Sequence, residues 1–160
     1  MTIGEERSFL DQLMDLYRAG DPSATDDSPG RQMVRAVQQV YLQIALADYA
    51  AAVELMTDDF TMEIIGPPEI PLVGCWHGKA EAEAALSRNF SLLEDQVPQL
   101  IGVATHRDAV VVMGRETGRV KATGRPYAVH WVQWFTLRDD RLTRFLQIFD
   151  ADEIGGAFQA

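Results

Sequence analysis

The sequence is poor in the side chains that build disulfide frameworks and metal centres. It contains a single cysteine, Cys75, and three histidines, His77, His106 and His130, which lack the short mutual spacings of metal ligands. One cysteine excludes an intrachain disulfide and any site that needs several thiolates. We therefore expect no bound metal, and a fold that does not depend on an oxidising compartment.

Positive charge and long apolar runs are also scarce. The chain has 14 Lys and Arg against 24 Asp and Glu, a formal net charge of -10 at pH 7, so its surface is expected to repel nucleic acids and anionic membranes. The opening MTIGEERSFL has acidic residues where a secretory signal has basic ones followed by an apolar run. No apolar stretch approaches the roughly 20 residues of a membrane span. These absences predict a cytoplasmic protein that binds neither nucleic acid nor membrane.

The residues that are present suffice for one domain with a hydrophobic core, because 47% of the 160 residues are hydrophobic. Residues 1–20 are predicted to form a helical N-terminal extension, since Leu13 and Tyr17 lie on one helical face. Residues 21–30 are polar and rich in turn formers, which predicts a linker. The main domain is predicted over residues 31–155.

The main domain changes from helical to strand periodicity along its length. Helical spacing predicts helices over about 31–47, 49–56 and 79–97. A strand over about 58–66 stops at two prolines, and turn signals divide 99–150 into four more strands. Helices gathered on one face of an antiparallel sheet predict an α+β fold.

The predicted strand VHWVQWF is apolar on both of its faces. Val129, Trp131 and Gln133 point to one side, while Val132 and Trp134 point to the other. One side is expected to pack on the helices, and the other needs a second cover. We expect a homodimer through this outer sheet face. The alternative is that the N-terminal helix covers it.

Short segments along residues 31–155 resemble the SnoaL-like members of the NTF2-like superfamily. In chain order they are Leu46-Ala47-Asp48, Leu55-Met56-Thr57-Asp58-Asp59-Phe60, Gly66-Pro67, Gly74-Cys75-Trp76-His77-Gly78-Lys79-Ala80, Ala122-Thr123-Gly124-Arg125-Pro126-Tyr127, Trp131-Val132-Gln133-Trp134-Phe135 and Phe149-Asp150. The resemblance implies an NTF2-like cone, in which a curved antiparallel sheet packs against three helices around a deep apolar pocket. Such proteins are often dimers. The N-terminal helix is an addition to that fold.

The resemblance extends to ketosteroid isomerases in fold, but their catalytic set is incomplete in this sequence. The Tyr on their first cone helix falls near Tyr41. Their base, an acid at the end of the first strand, falls at Ile64 or Ile65, and their second oxyanion donor falls near Trp131. Two of the three functional groups are therefore missing, which argues against steroid isomerisation by that machinery.

The sequence also resembles limonene-epoxide hydrolases and SnoaL-type polyketide cyclases. The Asp–Arg–Asp set of the hydrolases is matched by Arg115 and Asp150, while the other Asp falls at Thr117. The cyclases use an acid on the sheet as the base toward a carbon acid, a role that Asp150 would fill. None of these mechanisms requires a cofactor, so the resemblance implies none.

Strand alternation extends this candidate site. Ile148 shares a face with Asp150, and Glu63 shares one with Ile65. If these faces line the cone, Asp150 either pairs with Arg115 or holds a proton, because an unpaired buried carboxylate is costly. The predicted catalytic residues are Asp150 and Arg115, and the predicted ligand-binding residues are Tyr41, Glu63, Ile65, Val129, Trp131, Gln133 and Ile148. The structural alternative is that Asp150 caps a helix starting in DADEI.

Different classes of function remain open from the sequence. In the first, the protein is a cofactor-free isomerase, cyclase or hydrolase that moves a proton on a small apolar molecule. In the second, it is a module that holds such a molecule without turning it over. In the third, it is a protein-interaction subunit that uses the outer sheet face and has no enclosed pocket.

Overall fold

The structure, a computed structural model, describes the backbone of residues 3–25 and 27–160 and the side chains of residues 9–25 and 27–160. Its elements are, in chain order, α1 (Ile3–Gly20), α2 (Pro29–Ala45), α3 (Tyr49–Glu54), β1 (Met56–Ile65), β2 (Gly74–His77), α4 (Gly78–Ser91), β3 (Leu93–His106), β4 (Ala109–Val120), β5 (Pro126–Arg138), β6 (Arg141–Phe149) and α5 (Asp152–Phe158). Residues 1 and 2 of the predicted N-terminal extension and residue 26 of the predicted linker lie outside the described residues. Within that part of the chain, no helix is both long and apolar enough to cross a membrane.

The strands form a six-stranded curved sheet in the order β2-β1-β6-β5-β4-β3. Adjacent strands are antiparallel except β1 and β6, which are parallel. Helices and sheet enclose a common hydrophobic core, with Phe60 of β1 and Phe135 of β5 among its most buried side chains. The predicted α+β class is confirmed. The parallel β1–β6 pair was not predicted, because it joins strands far apart in the sequence.

Local side-chain chemistry explains where the helices of the main domain begin. Ser28 precedes α2, and its hydroxyl accepts a hydrogen bond from the backbone N–H of Arg31 at 3.4 Å. Pro29 occupies the first turn of the helix, where a missing N–H costs nothing. Asp48 caps α3 in the same way, through the N–H of Ala51 at 3.0 Å. These caps fix the entry of both helices onto the sheet.

Two predicted boundaries are corrected. The helix predicted to reach residue 97 ends at Ser91, and Leu93 already pairs with Val120 of β4. Pairing with a neighbouring strand outweighs helical propensity there. The DADEI segment does begin a helix, α5, but its N-cap is Ala151 and no side chain caps it. Asp150 is therefore not a helix cap.

Helix α1 packs against α2 and β3, with Leu13 fully buried and Tyr17 nearly so. It thus joins the helical layer and leaves the outer sheet face uncovered. The alternative prediction, in which this helix covers the outer face, is wrong. The outer face keeps a row of exposed apolar side chains in cross-strand register, Met113, Val132 and Ile148.

Candidate functional site

A pocket of about 570 Å³ lies between the inner face of the sheet and the helices. This volume falls in the usual range for small-molecule sites. Its aromatic and aliphatic wall consists of Phe9, Val40, Tyr41, Ile44, Tyr49, Met56, Phe60, Met62, Ile64, Leu72, Leu86, Phe90, Leu93, Val129, Trp131, Phe135, Leu142, Phe145, Phe149 and Ile154. The polar side chains of the wall are fewer, and each has a marked influence on what the pocket accepts: Asn89, Asp95, Gln96, Glu116, Gln133 and Gln147.

Small residues on β4 face large ones on β5 across the inner face of the sheet. Gly114 lies opposite Trp131, and a Cβ on Gly114 would stand 2.3 Å from the indole ring. Gly118 lies opposite Tyr127, and a Cβ there would stand 2.5 Å from the phenol oxygen. The two rings therefore lean over the two glycines. Glu116 lies between these glycines on the same inner face.

We expect Gly114→Ala to destabilise the protein by about 1–3 kcal/mol, because the added methyl overpacks against Trp131. Urea unfolding of the variant measures this loss. Gly102→Ala on β3 is the matched control, since a Cβ at Gly102 meets nothing within 4 Å, and it should be neutral or slightly stabilising. Equal stability of both variants would contradict the close contact between Gly114 and the indole.

Glu116 is held by two donors on one of its oxygens. The Tyr127 hydroxyl donates to Oε1 at 2.6 Å, and the Gln96 side-chain amide donates to the same oxygen at 3.1 Å. Oε2 accepts no hydrogen bond from any residue that the structure describes. Glu116 and Gln96 both line the pocket. One carboxylate oxygen is thus fixed, and the other has no hydrogen-bond donor among the described residues.

Burial raises the pKa of Glu116, and the hydrogen bonds from Tyr127 and Gln96 offset part of that rise. Burial next to the Glu116 carboxylate also raises the pKa of Tyr127, which keeps the phenol protonated and able to donate. The pair therefore holds a carboxyl group whose neutral and charged forms are closer in energy than they are in water.

The raised pKa of Glu116 predicts a pH-dependent difference between the wild type and Glu116→Gln. Between the ordinary value of 4.5 and the raised folded value, the folded state binds more protons than the unfolded state, so wild-type stability falls as pH rises. Glutamine does not titrate. The stability of the variant relative to wild type should therefore increase with pH across this window and stay constant below 4.5, as measured by urea unfolding. A relative decrease would show that the folded protein favours the anion.

A second polar group lies in the pocket wall on β5, β6 and α2. The Tyr41 hydroxyl donates to Gln133 Oε1 at 2.5 Å, and Gln133 Nε2 donates to Gln147 Oε1 at 2.8 Å. Edge-on contacts from Phe9 and Phe135, each with ring centroids 5.6 Å from that of Tyr41, hold the phenol in place. Burial raises its pKa well above the ordinary value, so Tyr41 acts as a neutral donor.

Metal-ligating side chains do not gather at either group. Among the side chains of residues 9–25 and 27–160, no three His, Cys, Asp or Glu are placed to hold an ion together. Cys75 and His77 are neighbours on the exposed edge strand β2, with Sγ and Nε2 3.8 Å apart, away from the pocket wall. The chemistry available in the pocket is that of carboxyl, amide and phenol groups.

Of the residues predicted for the site, Tyr41, Val129, Trp131 and Gln133 line the pocket. Their binding role remains a prediction.

The predicted catalytic pair, Asp150 and Arg115, is wrong in its placement. The Arg115 Nε donates to Gln99 Oε1 at 2.7 Å on the outer side of the sheet. The Asp150 carboxylate is 57% exposed and accepts from the backbone N–H of His130 at 2.7 Å, with the His130 ring nitrogen 3.2 Å away. The two charges neither pair with each other nor reach the pocket.

The other predicted wall residues on β1 and β6 also lie outside the pocket. Glu63 forms an ion pair with Arg144 at 3.1 Å. Ile65 and Ile148 are 44% and 51% exposed on the outer face. The reason is the strand register, because directly opposed residues of neighbouring strands share a face of the sheet. Ile148 lies opposite Val132, which points away from the face that carries Trp131.

Glu116 and Gln147 were not predicted for the site, although the sequence carries a signal for each. On β4, Arg115 and Arg119 lie on one face, and Glu116 and Gly118 lie on the other. A face with two arginines is more suited to solvent than to an apolar pocket, which leaves the Glu116 face as the inner one. On β6, Gln147 lies between Phe145 and Phe149, whose large rings mark the inner face.

Comparison with known proteins is consistent with this architecture. The family model described as SnoaL-like domain matches residues 37–145. An NTF2-like protein from Burkholderia xenovorans LB400 is similar in structure, with 25% identity, a TM-score of 0.70, and coverage of 81% of this chain and 98% of its own. A protein provisionally named a SnoaL-like polyketide cyclase, from Jannaschia sp. CCS1, has 22% identity, a TM-score of 0.72, and coverage of 86% and 99%.

An LEH-like epoxide hydrolase from M. tuberculosis shares the fold at 15% identity and a TM-score of 0.64, with 81% of this chain and 91% of that one covered. No curated protein matches the sequence significantly. The predicted NTF2-like fold is confirmed by these neighbours. Their differing activities leave the chemistry to be argued from the pocket itself.

Proposed function

Because the chain belongs to the SnoaL-like domain family, we propose that its pocket binds a small, uncharged, largely apolar molecule and exchanges a proton with it through Glu116. The observation that carries this proposal is the Glu116 carboxyl, held on Oε1 by Tyr127 and Gln96 in a largely apolar wall. Such an orienting contact on one oxygen is what a general base requires.

The chemistry of the wall favours an uncharged ligand. Among residues 9–25 and 27–160, whose side chains the structure describes, the ionisable carboxyls that line it are Glu116 and Asp95, and no Lys or Arg lines it. Asp95 is paired with Arg119 at 3.6 Å, but the hydrogen-bond partners of Glu116 are the neutral Tyr127 and Gln96, so an anion beside Glu116 would meet its carboxylate. A permanently charged group would also lose its hydration against aromatic and aliphatic side chains, at a cost of several kcal/mol.

Proton transfer at Glu116 requires an acidic hydrogen on the ligand, such as one on a carbon next to a carbonyl. Glu116 Oε2 accepts that proton, the C–H bonding pair forms a carbon–carbon double bond, and the carbonyl π pair moves to oxygen. Return of the proton to carbon completes an exchange or an isomerisation. The step balances without an oxidant, a reductant or a cofactor.

The second candidate is a binding module without turnover. It is favoured by the Tyr41, Gln133 and Gln147 group, which offers hydrogen bonds but no second titratable acid or base near neutral pH. Both candidates need the same pocket, so binding is tested first.

Intrinsic tryptophan fluorescence tests the binding site with 4-acetylbiphenyl as the probe. Trp131 lines the pocket and Trp134, three residues along β5, lies on the outer face and is 39% exposed. Saturable quenching is expected for the wild type and for Trp134→Phe, and should be largely lost in Trp131→Phe. The reverse pattern would place the site on the outer face and overturn the proposal.

A further inference from the structure

We infer that the pocket selects a molecule with two polar ends, a hydrogen-bond donor at Glu116 and an acceptor at Gln147, joined by an apolar body of about two rings. The inference rests on the proposed function, because it specifies the ligand of the same pocket.

The Glu116 end accepts. Both hydrogen bonds to Glu116 arrive on Oε1, from Tyr127 and Gln96. As a carboxylate, its free Oε2 has lone pairs and no hydrogen to offer. A ligand hydroxyl, or the acidic C–H of a carbon next to a carbonyl, satisfies it, whereas an ether oxygen at this place meets another acceptor.

The Gln147 end donates. The hydrogen bonds run in one direction, from the Tyr41 hydroxyl to Gln133 and from Gln133 Nε2 to Gln147 Oε1. Gln147 has its carbonyl occupied in this way, and its Nε2 donates to no residue in the described part of the chain. Gln147 lines the pocket. Its two N–H groups are therefore suited to a carbonyl oxygen on the ligand.

The sheet sets the distance between the ends. Glu116 lies opposite Val129, and Gln147 lies opposite Gln133. The separation along β5 is four residues, or about 13 Å for an extended strand, and the flanking strands β4 and β6 that carry the two residues lie roughly 9.6 Å apart across the sheet. Trp131 lies between them and lines the pocket with its ring. A flat biphenyl-sized body along Trp131 places one substituent near each polar group.

The predicted selectivity follows from the cost of a mismatched end. A site built to hydrogen-bond a ligand group rejects the analogue that lacks it, because the protein group loses water without gaining a partner. We expect about a tenfold loss of affinity for each mismatched end.

Calorimetric titration with matched biphenyls tests both ends. The reference probe is 4-acetyl-4′-hydroxybiphenyl. The methoxy analogue removes the donor, and the 4-ethyl-4′-hydroxy analogue removes the acceptor. Wild-type protein should bind the reference roughly tenfold more tightly than either analogue.

Isosteric variants exchange the hydrogen-bonding character of each end. Glu116→Gln presents an amide N–H where Oε2 was, so the preference for hydroxyl over methoxy should vanish while that for acetyl over ethyl remains. Gln147→Glu presents an acceptor, so the acetyl preference should vanish and the hydroxyl preference remain. Gln147→Met removes the donor without adding charge, and gives the same test should the glutamate variant not fold.

The outcomes separate this inference from the proposed function. Equal wild-type affinity for all three probes overturns the two-ended selectivity and leaves the pocket as a binding site. A change in both preferences on either substitution overturns the assignment of the ends. Absence of binding by every probe overturns the proposed function, and this inference with it.

Discussion

Glu116→Gln is expected to slow hydrogen–deuterium exchange at the acidic C–H positions of 2-tetralone by about a hundredfold or more, the range typical of a lost general base. Glutamine keeps the shape of the side chain and an oxygen for Tyr127 and Gln96, so binding should change little. Proton NMR in deuterated buffer, corrected for exchange in buffer alone, measures the rate.

Two further variants make this result specific. Glu63→Gln is the matched control, because Glu63 is a strand glutamate on the outer face paired with Arg144, and its exchange rate should equal that of the wild type. Tyr127→Phe removes a hydrogen bond that lowers the pKa of Glu116. The midpoint of the pH–rate profile should therefore move to higher pH. Wild-type protein that binds 2-tetralone without exchanging it would instead support the non-catalytic module.

Val132→Asp is expected to convert a homodimer into a monomer. We propose that two copies pair through the outer sheet face. Met113, Val132 and Ile148 form an exposed row there, and these three residues are 48%, 38% and 51% solvent-accessible. Isolated monomers rarely leave so continuous an apolar patch in water. A buried, unpaired carboxylate at its centre costs several kcal/mol, which corresponds to at least a hundredfold weaker association.

Sedimentation velocity over a range of concentrations measures the mass. Leu46→Asp is the control, since Leu46 is also an exposed apolar residue, 55% accessible, but follows α2 rather than lying on the sheet. It should leave the dimer intact. A wild-type protein that is already monomeric would contradict the pairing and leave the exposed row unexplained.

The sequence was sufficient for the fold class, because helical and strand periodicity were strong over most of the chain. It was sufficient for β5 as well, where Trp131 and Gln133 were assigned to the inner face. Alternation along the sequence did not identify the inner face of β4 or β6, because both faces of these strands carry apolar residues. Cross-strand register supplies that information, and register is a tertiary property.

The error at Asp150 and Arg115 has this origin. The faces of Arg115 and Asp150 were predicted strand by strand, without the pairing between strands. In the sheet, Trp131 shares its face with Gly114 and Phe149, whereas Arg115 and Asp150 lie on the opposite face. The proposed base, Glu116, directly follows Arg115, which was predicted to pair with Asp150. The N-terminal helix was predicted as a helix, but its contact with the pocket through Phe9 depends on packing that local sequence does not encode.

The adjacency of Arg115 and Glu116 has an evolutionary consequence. A slip of β4 by one position would exchange them, turning an acid-lined cavity into one suited to carboxylates or phosphates. The same slip would carry Gly114 and Gly118 out from beneath the two aromatic rings, so steric conflict penalises the exchange. Relatives that have inverted the polarity of this cavity are therefore expected to have reshaped residues 127 and 131 together with the slip.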